Sequence, residues 1–202
     1  MAMMVQGFQR TQYPELFDEM FRLRKKVFHD EKGWDVNIVD GEFEIDEFDR
    51  DDTVYLLSLD ESRNIVASVR LLSTASPHMF AGPFAHMFPD VQFSSPLIWE
   101  ATRWAGTHDR RLQPNGVSYS ACDICLSAAR FGLEYGVAQF VGVFEPALRR
   151  IYRRCGMPAR VISTIQDGPY RGISAGIWDV SANNEQAILR ATGLETEFAQ
   201  AA

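Results

Sequence analysis

Ionisable side chains lie at two places in the sequence where the neighbouring residues are apolar. In residues 97–105 (LIWEATRWA), Glu100 and Arg103 stand among residues typical of a buried strand. Arg24 falls on the apolar stripe of a helix pattern, four residues before Phe28. Because an unpaired buried charge is very costly, such an arginine must reach solvent or meet a carboxylate. We therefore expect a charged site built against the core.

Carboxylates that could pair with Arg24 follow it in residues 42–52. The acidic side chains of this segment lack the spacing and the central glycine of a calcium loop. We expect most of them to be solvated and one or two to pair with Arg24. The acidic residues are Glu42, Glu44, Asp46, Glu47, Asp49, Asp51 and Asp52.

A second arginine is expected inside apolar surroundings, because Arg70 lies on the inward face of a strand pattern over residues 65–72. Glu100 and Arg103 are three residues apart, which puts them on opposite faces of a regular strand. A β-bulge between them would bring both to one face. With Arg24 included, the charges outnumber a single buried ion pair, and this favours a functional site.

Trp34 lies in a loop-like segment next to Gly33. An aromatic face attracts a cation by ~0.5–2 kcal/mol, depending on desolvation. Trp34 is therefore either part of a site for a cationic ligand or a plug at the edge of the core.

The length, composition and net charge of the chain limit the class of protein. A chain of 202 residues with 46% hydrophobic content is suited to one α/β domain, and we draw that domain over residues 1–202. A net charge of −7 argues against a nucleic-acid partner. The sequence shows neither a signal peptide nor an apolar run of membrane-spanning length, so we expect a cytoplasmic protein away from membranes. Three cysteines without metal-site spacing are expected to be reduced thiols in the core.

The order of predicted elements indicates a mixed sheet with helices on both faces. An apolar connection over residues 73–95 is long enough to cover a cavity or a partner. The predicted helices cover residues 14–28, 118–135, 146–155 and 183–191, and the predicted strands cover 53–59, 65–72, 97–105, 139–144, 160–165 and 173–180.

An ordered set of motifs runs through the first three quarters of the chain: Arg24, Phe28, Trp34, Glu44-x-Asp46-x-x-Asp49, Arg70-Leu-Leu and Trp99-Glu-x-x-Arg103. At this spacing the set resembles the acyl-homoserine-lactone synthases, the autoinducer synthases of bacterial quorum sensing. The resemblance covers residues 16–156. It implies the fold of the GCN5-related N-acetyltransferases, a three-layer α-β-α sandwich whose mixed sheet has splayed central strands.

The resemblance also implies an acyltransferase that joins S-adenosylmethionine to an acyl thioester without a cofactor or a metal. The methionyl amine attacks the thioester, and the carboxylate then displaces methylthioadenosine to close a lactone. Phe28 and Trp34 would wall the sulfonium and the adenine. Arg24 and Arg103 are candidates for holding the carboxylate.

The remaining charged residues divide into two expected groups. Asp46 and Glu100 are the candidates for binding the α-ammonium and for general base, in either assignment. Glu44, Asp49 and Arg70 are expected to brace this network.

The donor side of the site is predicted from departures from the family pattern. Trp104, Gly142 and Phe144 are expected to line the acyl pocket. Many family members that use 3-oxoacyl donors carry a threonine where this chain has Gly142 or Phe144, which argues against a 3-oxoacyl group. The bulk of Trp104 and Phe144 favours an unsubstituted short, branched or aryl acyl group. The donor is either an acyl-carrier protein or acyl-coenzyme A. Arg110 or Arg111 could hold the phosphates of coenzyme A. A basic face that could dock an acidic carrier protein comprises Arg149, Arg150, Arg153 and Arg154.

Two rival functions compete with this prediction. A plain N-acyltransferase acting on another amine would need a glycine-rich pyrophosphate loop, of which residues 106–116 are a poor version. A ligand-sensing module without turnover would not need so many ionisable residues at its site.

Overall fold

A mixed sheet of seven strands forms the middle layer of the protein, and the computed structural model describes residues 2–107 and 111–194. The strands are β1 Met3–Gln6, β2 Ile38–Val39, β3 Phe43–Glu44, β4 Val54–Leu59, β5 Ile65–Ser73, β6 Ile98–Gly106, β7 Gln139–Phe144, β8 Arg160–Thr164 and β9 Ser174–Asp179. Within the sheet their order is β1-β4-β5-β6-β7-β9-β8, and β2 and β3 form a separate two-stranded ribbon.

Helices cover both faces of this sheet. The helices are α1 Pro14–Lys25, α2 Tyr119–Glu134, α3 Pro146–Arg154 and α4 Ala182–Thr192. On one face, Phe17 and Met20 of α1 pack against Tyr55 and Leu57 of β4. On the other face, apolar residues of α2, α3 and α4 share one core cluster. The predicted three-layer α-β-α arrangement is confirmed.

Local sequence signals account for the ends of the helices. Ser118 is the N-cap of α2, where its Oγ accepts a hydrogen bond from the Ala121 backbone N–H at 3.3 Å. α4 ends at Gly193, whose φ of 75° is in the left-handed region that glycine tolerates. The sequence also predicted the strands and helices after residue 53 to within a few residues of their observed ends.

Several elements before β4 were not predicted, and the β2–β3 ribbon is one of them. β1 pairs antiparallel with β4, and Gly7–Thr11 forms a 3₁₀ turn. The first helix was predicted to be α-helical to residue 28, but α1 ends at Lys25. The chain continues from there as a π-helical turn over Lys26–Glu31. Such turns occur often at functional sites.

The predicted bulge lies in β6. Ser68 and Arg70 of β5 face Ala105 and Thr102 of β6, so β6 has one extra residue in this interval. Arg103 lies in the bulge and has a φ of 53°, which is uncommon for a residue other than glycine.

The sheet opens between β6 and β7. These parallel strands pair only through the Ile98–Gln139, Trp99–Phe140 and Glu100–Val141 positions, and they separate beyond Glu100. The central strands are therefore splayed, as the family resemblance implied. The pairing ends at a residue that the sequence had selected for chemistry.

The long connection before β6 packs on the α1 side of the sheet. Phe80 and Phe88 contact Val141, Ala175 and Ile177 of β7 and β9. Two cavities of about 410 and 340 Å³ are lined largely by this connection. The connection therefore covers the sheet and also leaves cavities along its own length.

Two expectations about the rest of the chain can be compared with the described residues. Cys122, Cys125 and Cys155 are buried free thiols, as predicted. Over residues 2–107 and 111–194, no helix combines the length and the apolar character needed to cross a membrane.

Candidate active site

Arg24 projects from α1 into a closed set of carboxylates. Its Nε donates to Glu44 Oε2 at 2.6 Å, and its Nη1 and Nη2 donate to the two carboxylate oxygens of Asp49 at 2.7 and 2.9 Å. Only 1% of its side chain is exposed. The prediction that Arg24 pairs with the carboxylates after it is confirmed. Because its guanidinium is sealed by protein, Arg24 lies behind the open part of the site.

Arg70 joins the same set from β5. It donates to Asp46 and, at 3.0 Å, to Asp49 Oδ1. Burial alone would raise the pKa of Asp49, but Arg24 and Arg70 hold that pKa well below its usual range. Tyr55 also donates to Asp49 Oδ1 at 2.8 Å. Asp49 is thus the central anion of the network, as its predicted bracing role requires.

Arg103 has the most accessible guanidinium of the three arginines, with 12% of its side chain exposed. Its Nε donates to Glu44 Oε1 at 3.0 Å, and its Nη2 lies 2.8 Å from Asp46 Oδ2. Burial lowers the pKa of Arg103, although Glu44 and Asp46 oppose that effect. Among the described residues, its Nη1 contacts only the thioether sulfur of Met79, at 3.6 Å. A thioether is a weak acceptor, so this nitrogen can take a stronger one.

Asp46 is more heavily engaged than its predicted role suggested. Arg70 and Arg103 both bind its carboxylate, and its Oδ1 accepts a hydrogen bond from the Phe48 N–H at 2.9 Å. Its side chain is 8% exposed. A carboxylate held by two guanidiniums at the edge of the site can also share its charge with a bound ammonium.

Glu100 differs from Glu44, Asp46 and Asp49 because no arginine in the described part of the chain forms an ion pair with it. It is fully buried, and its Oε2 accepts a hydrogen bond from the Met79 N–H at 2.7 Å. Its Oε1 has no hydrogen-bond partner among the described residues. Burial raises the pKa of Glu100 to about 7, although the backbone N–H of Met79 opposes the shift. A carboxyl group with this pKa can act as a base or an acid near neutral pH.

An aromatic wall lies beside Arg103. Phe28 and Trp34 stack with ring centroids 5.3 Å apart and planes 8° apart. The π-helical turn sets this arrangement, since the Trp34 N–H donates to the Phe28 carbonyl at 2.8 Å. Trp34 is 40% exposed, so it is not a plug in the core. Besides Phe28, the ring contacts Lys32, whose Nζ lies 4.9 Å from its centroid.

The residues expected in the acyl pocket lie on the α2 side of the sheet. Trp104 contacts Tyr152, and Phe144 contacts Tyr152 and Trp178, all with ring centroids within 5.6 Å. A Cβ built on Gly142 would lie 2.9 Å from the Ala101 carbonyl oxygen, so β7 is still close to β6 one residue past the last pair, and the gap opens after Gly142.

Tyr152 and Trp178 were missed by the sequence analysis. Tyr152 lies on the apolar stripe of α3, which was a detectable signal. Trp178 comes from β9 and reaches the cluster only through tertiary packing, with its ring centroid 4.9 Å from that of Tyr152. The described cluster is filled with aromatic rings, and its role as the acyl pocket stays a prediction.

The predicted basic residues lie on α3 and near the start of α2. Arg111 stacks over Tyr119 at the start of α2, at 4.4 Å from its ring centroid. Arg110 lies outside the described residues. The predicted basic face is exposed along α3, and it consists of Arg149, Arg150, Arg153 and Arg154.

Comparison with known proteins assigns the family. A family model described as Autoinducer synthase matches residues 9–188. The chain belongs to the autoinducer synthase family. An acyl-homoserine-lactone synthase of Rhizobium etli is 34% identical over 171 residues, which cover 83% of this chain and 79% of the relative. The protein is accordingly an acyltransferase of the acyl-homoserine-lactone synthase type.

Solved structures support the same assignment. The structure of a CoA-dependent acyl-homoserine lactone synthase, BjaI, with S-adenosylmethionine (SAM) and isopentyl-CoA has a TM-score of 0.81 and 26% identity, and covers 96% of this chain and 89% of its own. A putative N-acetyltransferase from Lactobacillus plantarum has a TM-score of 0.57 at 16% identity, and covers 89% and 99% of the two chains. The latter likeness concerns the fold alone, and it agrees with the predicted N-acetyltransferase architecture.

Proposed function

We propose that this protein makes an N-acyl-L-homoserine lactone from SAM and an acyl thioester, in the cytoplasm and without a cofactor. The observation that carries the proposal is the placement of Glu100 and Arg103 on one face of β6. Among residues 2–107 and 111–194, the Glu100 carboxylate has one oxygen without a hydrogen-bond partner, and Arg103 has one guanidinium nitrogen without a carboxylate partner. Glu100 can therefore accept a proton while Arg103, three residues along the same strand, binds an anionic group of the substrate.

Binding of SAM uses the open side of the network. The sulfonium and the adenine lie against Phe28 and Trp34, whose π faces attract a cation. The α-carboxylate binds Arg103, because Arg24 is already saturated by Glu44 and Asp49. Asp46 shares its charge with the α-ammonium.

Glu100 acts as the general base, directly or through one water. It accepts a proton from the α-ammonium, and the amine then attacks the thioester carbonyl. The C–N bond forms, the C–S bond of the thioester breaks, and the thiolate takes a proton as it leaves. In the second step a carboxylate oxygen attacks Cγ of the methionyl group, and the C–S⁺ bond breaks. The sulfur keeps the electron pair and leaves as neutral methylthioadenosine.

The acyl group extends through the gap between β6 and β7 toward the α2 side. Trp104 and Phe144 limit its length, and Tyr152 and Trp178 complete the aromatic lining. This supports an unsubstituted short, branched or aryl acyl group. The likeness to BjaI, whose structure contains isopentyl-CoA, supports a branched donor.

Two donor carriers fit the surface. The likeness to a CoA-dependent synthase supports acyl-coenzyme A, whose phosphates suit Arg111. The exposed basic face of α3 suits an acidic acyl-carrier protein. Neutralising Arg149, Arg150, Arg153 and Arg154 should raise KM for a carrier-protein donor and leave KM for a coenzyme A donor unchanged.

The experiment that tests the proposal measures release of methylthioadenosine with and without an acyl thioester. A synthase releases it only when both substrates are present. An N-acyltransferase acting on another amine releases no methylthioadenosine and forms free thiol only when that amine is added. A sensing module releases neither methylthioadenosine nor free thiol. Either of the last two results would overturn the proposal.

A further inference from the structure

A half-buried ion pair joins two segments that are distant in sequence. Lys32 Nζ lies 2.6 Å from Glu145 Oε2, and the two side chains are 33% and 35% exposed. Glu145 directly follows β7 and is the N-cap residue of α3, but its side chain makes no capping hydrogen bond. The side chains that usually cap a helix N-terminus are the shorter ones of Ser, Thr, Asp and Asn. Glu145 binds Lys32 instead.

Lys32 also contacts the aromatic wall. Its Nζ lies 4.9 Å from the centroid of the Trp34 ring. Trp34 stacks on Phe28, and the guanidinium of Arg103 lies 5.7 Å from the centroid of Phe28. A continuous line of contacts therefore runs from Glu145, at the end of β7, to Arg103, in the bulge of β6.

This line crosses the gap in the sheet. β6 and β7 stop pairing after Glu100 and Val141, and Arg103 and Glu145 lie farther along the two strands on opposite sides of the opening. We propose that Lys32 and Glu145 form a clasp across this gap, and that the clasp positions Trp34 for SAM. The role in SAM binding rests on the proposed function, whereas the positioning of Trp34 does not.

The clasp is suited to positioning rather than to stabilising the fold. Partly exposed ion pairs add little to stability, since solvent screens them and two long side chains must be ordered. Lys32 and Glu145 are therefore positioning residues, and their loss should change the placement of Trp34 and the binding of SAM without unfolding the protein.

Exchange of the two charges separates the clasp from a simple contact between Lys32 and Trp34. We expect Lys32→Gln and Glu145→Gln each to raise KM for SAM about fivefold, which is a loss comparable to that of one partly exposed ion pair, with kcat nearly unchanged. The double variant Lys32→Glu/Glu145→Lys should restore KM to about twice the wild-type value or less. Lys25→Gln is the matched control, because Lys25 pairs with Asp30 at 2.9 Å beside the same π-helical turn.

A second measurement needs no turnover. Acrylamide quenching of Trp34 fluorescence, isolated by subtracting the Trp34→Phe variant, should increase in both single variants and return to wild type in the exchanged double variant. Unchanged quenching in the single variants, or no return in the double variant, would overturn the clasp. If the wild-type protein releases no methylthioadenosine with any thioester, the proposed function fails, and the quenching result still decides the clasp.

Discussion

Glu100 and Arg103 contact the same residue, Met79, from positions three apart on β6. Glu100 accepts a hydrogen bond from the Met79 backbone N–H, and Arg103 Nη1 lies 3.6 Å from the Met79 sulfur. A regular strand would place the two side chains on opposite faces. The extra residue of the bulge, with Arg103 in a left-handed conformation, brings them together. A strained residue of this kind is typical of active sites.

The first prediction concerns the base. Glu100→Gln should lower kcat about 10²–10⁴-fold, since it removes the proton acceptor and keeps the shape. In the wild-type protein, burial raises the pKa of Glu100 to about 7, so kcat/KM should fall as the pH drops below that value. A pH–rate profile of methylthioadenosine release checks both points. Full activity of the variant, or a flat profile between pH 5 and 8, would exclude Glu100 as the base.

The second prediction uses the same carboxyl group as a probe of stability. Because its folded pKa of about 7 exceeds its unfolded value of 4.5, ionised Glu100 destabilises the fold. Below about pH 4.5, Glu100 is protonated in both states and does not lower the free energy of unfolding. The loss in free energy of unfolding grows between about pH 4.5 and about pH 7, and it is constant above that range. By linkage it reaches roughly 3 kcal/mol.

Urea denaturation checks the stability prediction. Glu100→Gln should be more stable than wild type at pH 8, and the difference should shrink toward zero at pH 4.5. The comparison cancels other titrating groups, since both proteins share them. An equal difference at both pH values would contradict burial as the cause of the pKa shift.

The third prediction separates Arg24 from an ordinary surface arginine. Arg24→Met leaves Glu44 and Asp49 without their main counter-charge in a buried environment, which should cost about 3–5 kcal/mol in the free energy of unfolding. Arg22→Gln, on the same helix, breaks an exposed pair with Glu42 and should change stability by less than about 0.5 kcal/mol. Denaturant unfolding of both variants measures the difference. Equal effects would mean that the buried network does not hold α1.

Much of the charged site could be predicted from sequence, because buried charges need partners. Arg24 on an apolar stripe required carboxylates, and the acidic run that follows supplied them. The sequence did not determine which of these carboxylates bind Arg24. That choice depends on the β2–β3 ribbon, which places Glu44, and on the turn after it, which places Asp49. Both are set by tertiary contacts.

The elements that the sequence did not reveal share a physical cause. β1 is four residues long and carries no turn signal, so its pairing with β4 alone defines it. The π-helical turn after α1 keeps the apolar pattern of a helix. Glu100 was selected from sequence, but its complete burial, which raises its pKa, is visible only in three dimensions.

The fourth prediction concerns the aromatic wall. Trp34→Ala should abolish product formation or raise KM for SAM by more than tenfold. The change removes a ring whose cation–π interaction is worth ~0.5–2 kcal/mol, and it also removes the stacking partner of Phe28. Trp34→Phe should keep most of the affinity. Because Trp34 is 40% exposed, thermal unfolding should show little change in either variant. A fully active alanine variant would remove Trp34 from the site.

The last prediction concerns the acyl donor. The wild-type protein should prefer unsubstituted short, branched or aryl thioesters, because the rings of Trp104, Phe144, Tyr152 and Trp178 fill the space beyond the gap. Trp104→Phe removes part of one ring next to Tyr152. It should move the preference, measured as the ratio of kcat/KM values, toward a chain about one or two carbons longer, since each buried methylene is worth ~0.8 kcal/mol.

Trp99→Phe is the matched control for that change. Trp99 lies on the same face of β6 but packs against Phe131, with ring centroids 5.2 Å apart, before the strands separate. It should leave the chain-length preference unchanged. A wild-type preference for long 3-oxoacyl thioesters would contradict the aromatic pocket, and so would an equal shift in both variants. A shift in Trp104→Phe alone places the end of the acyl chain against that ring.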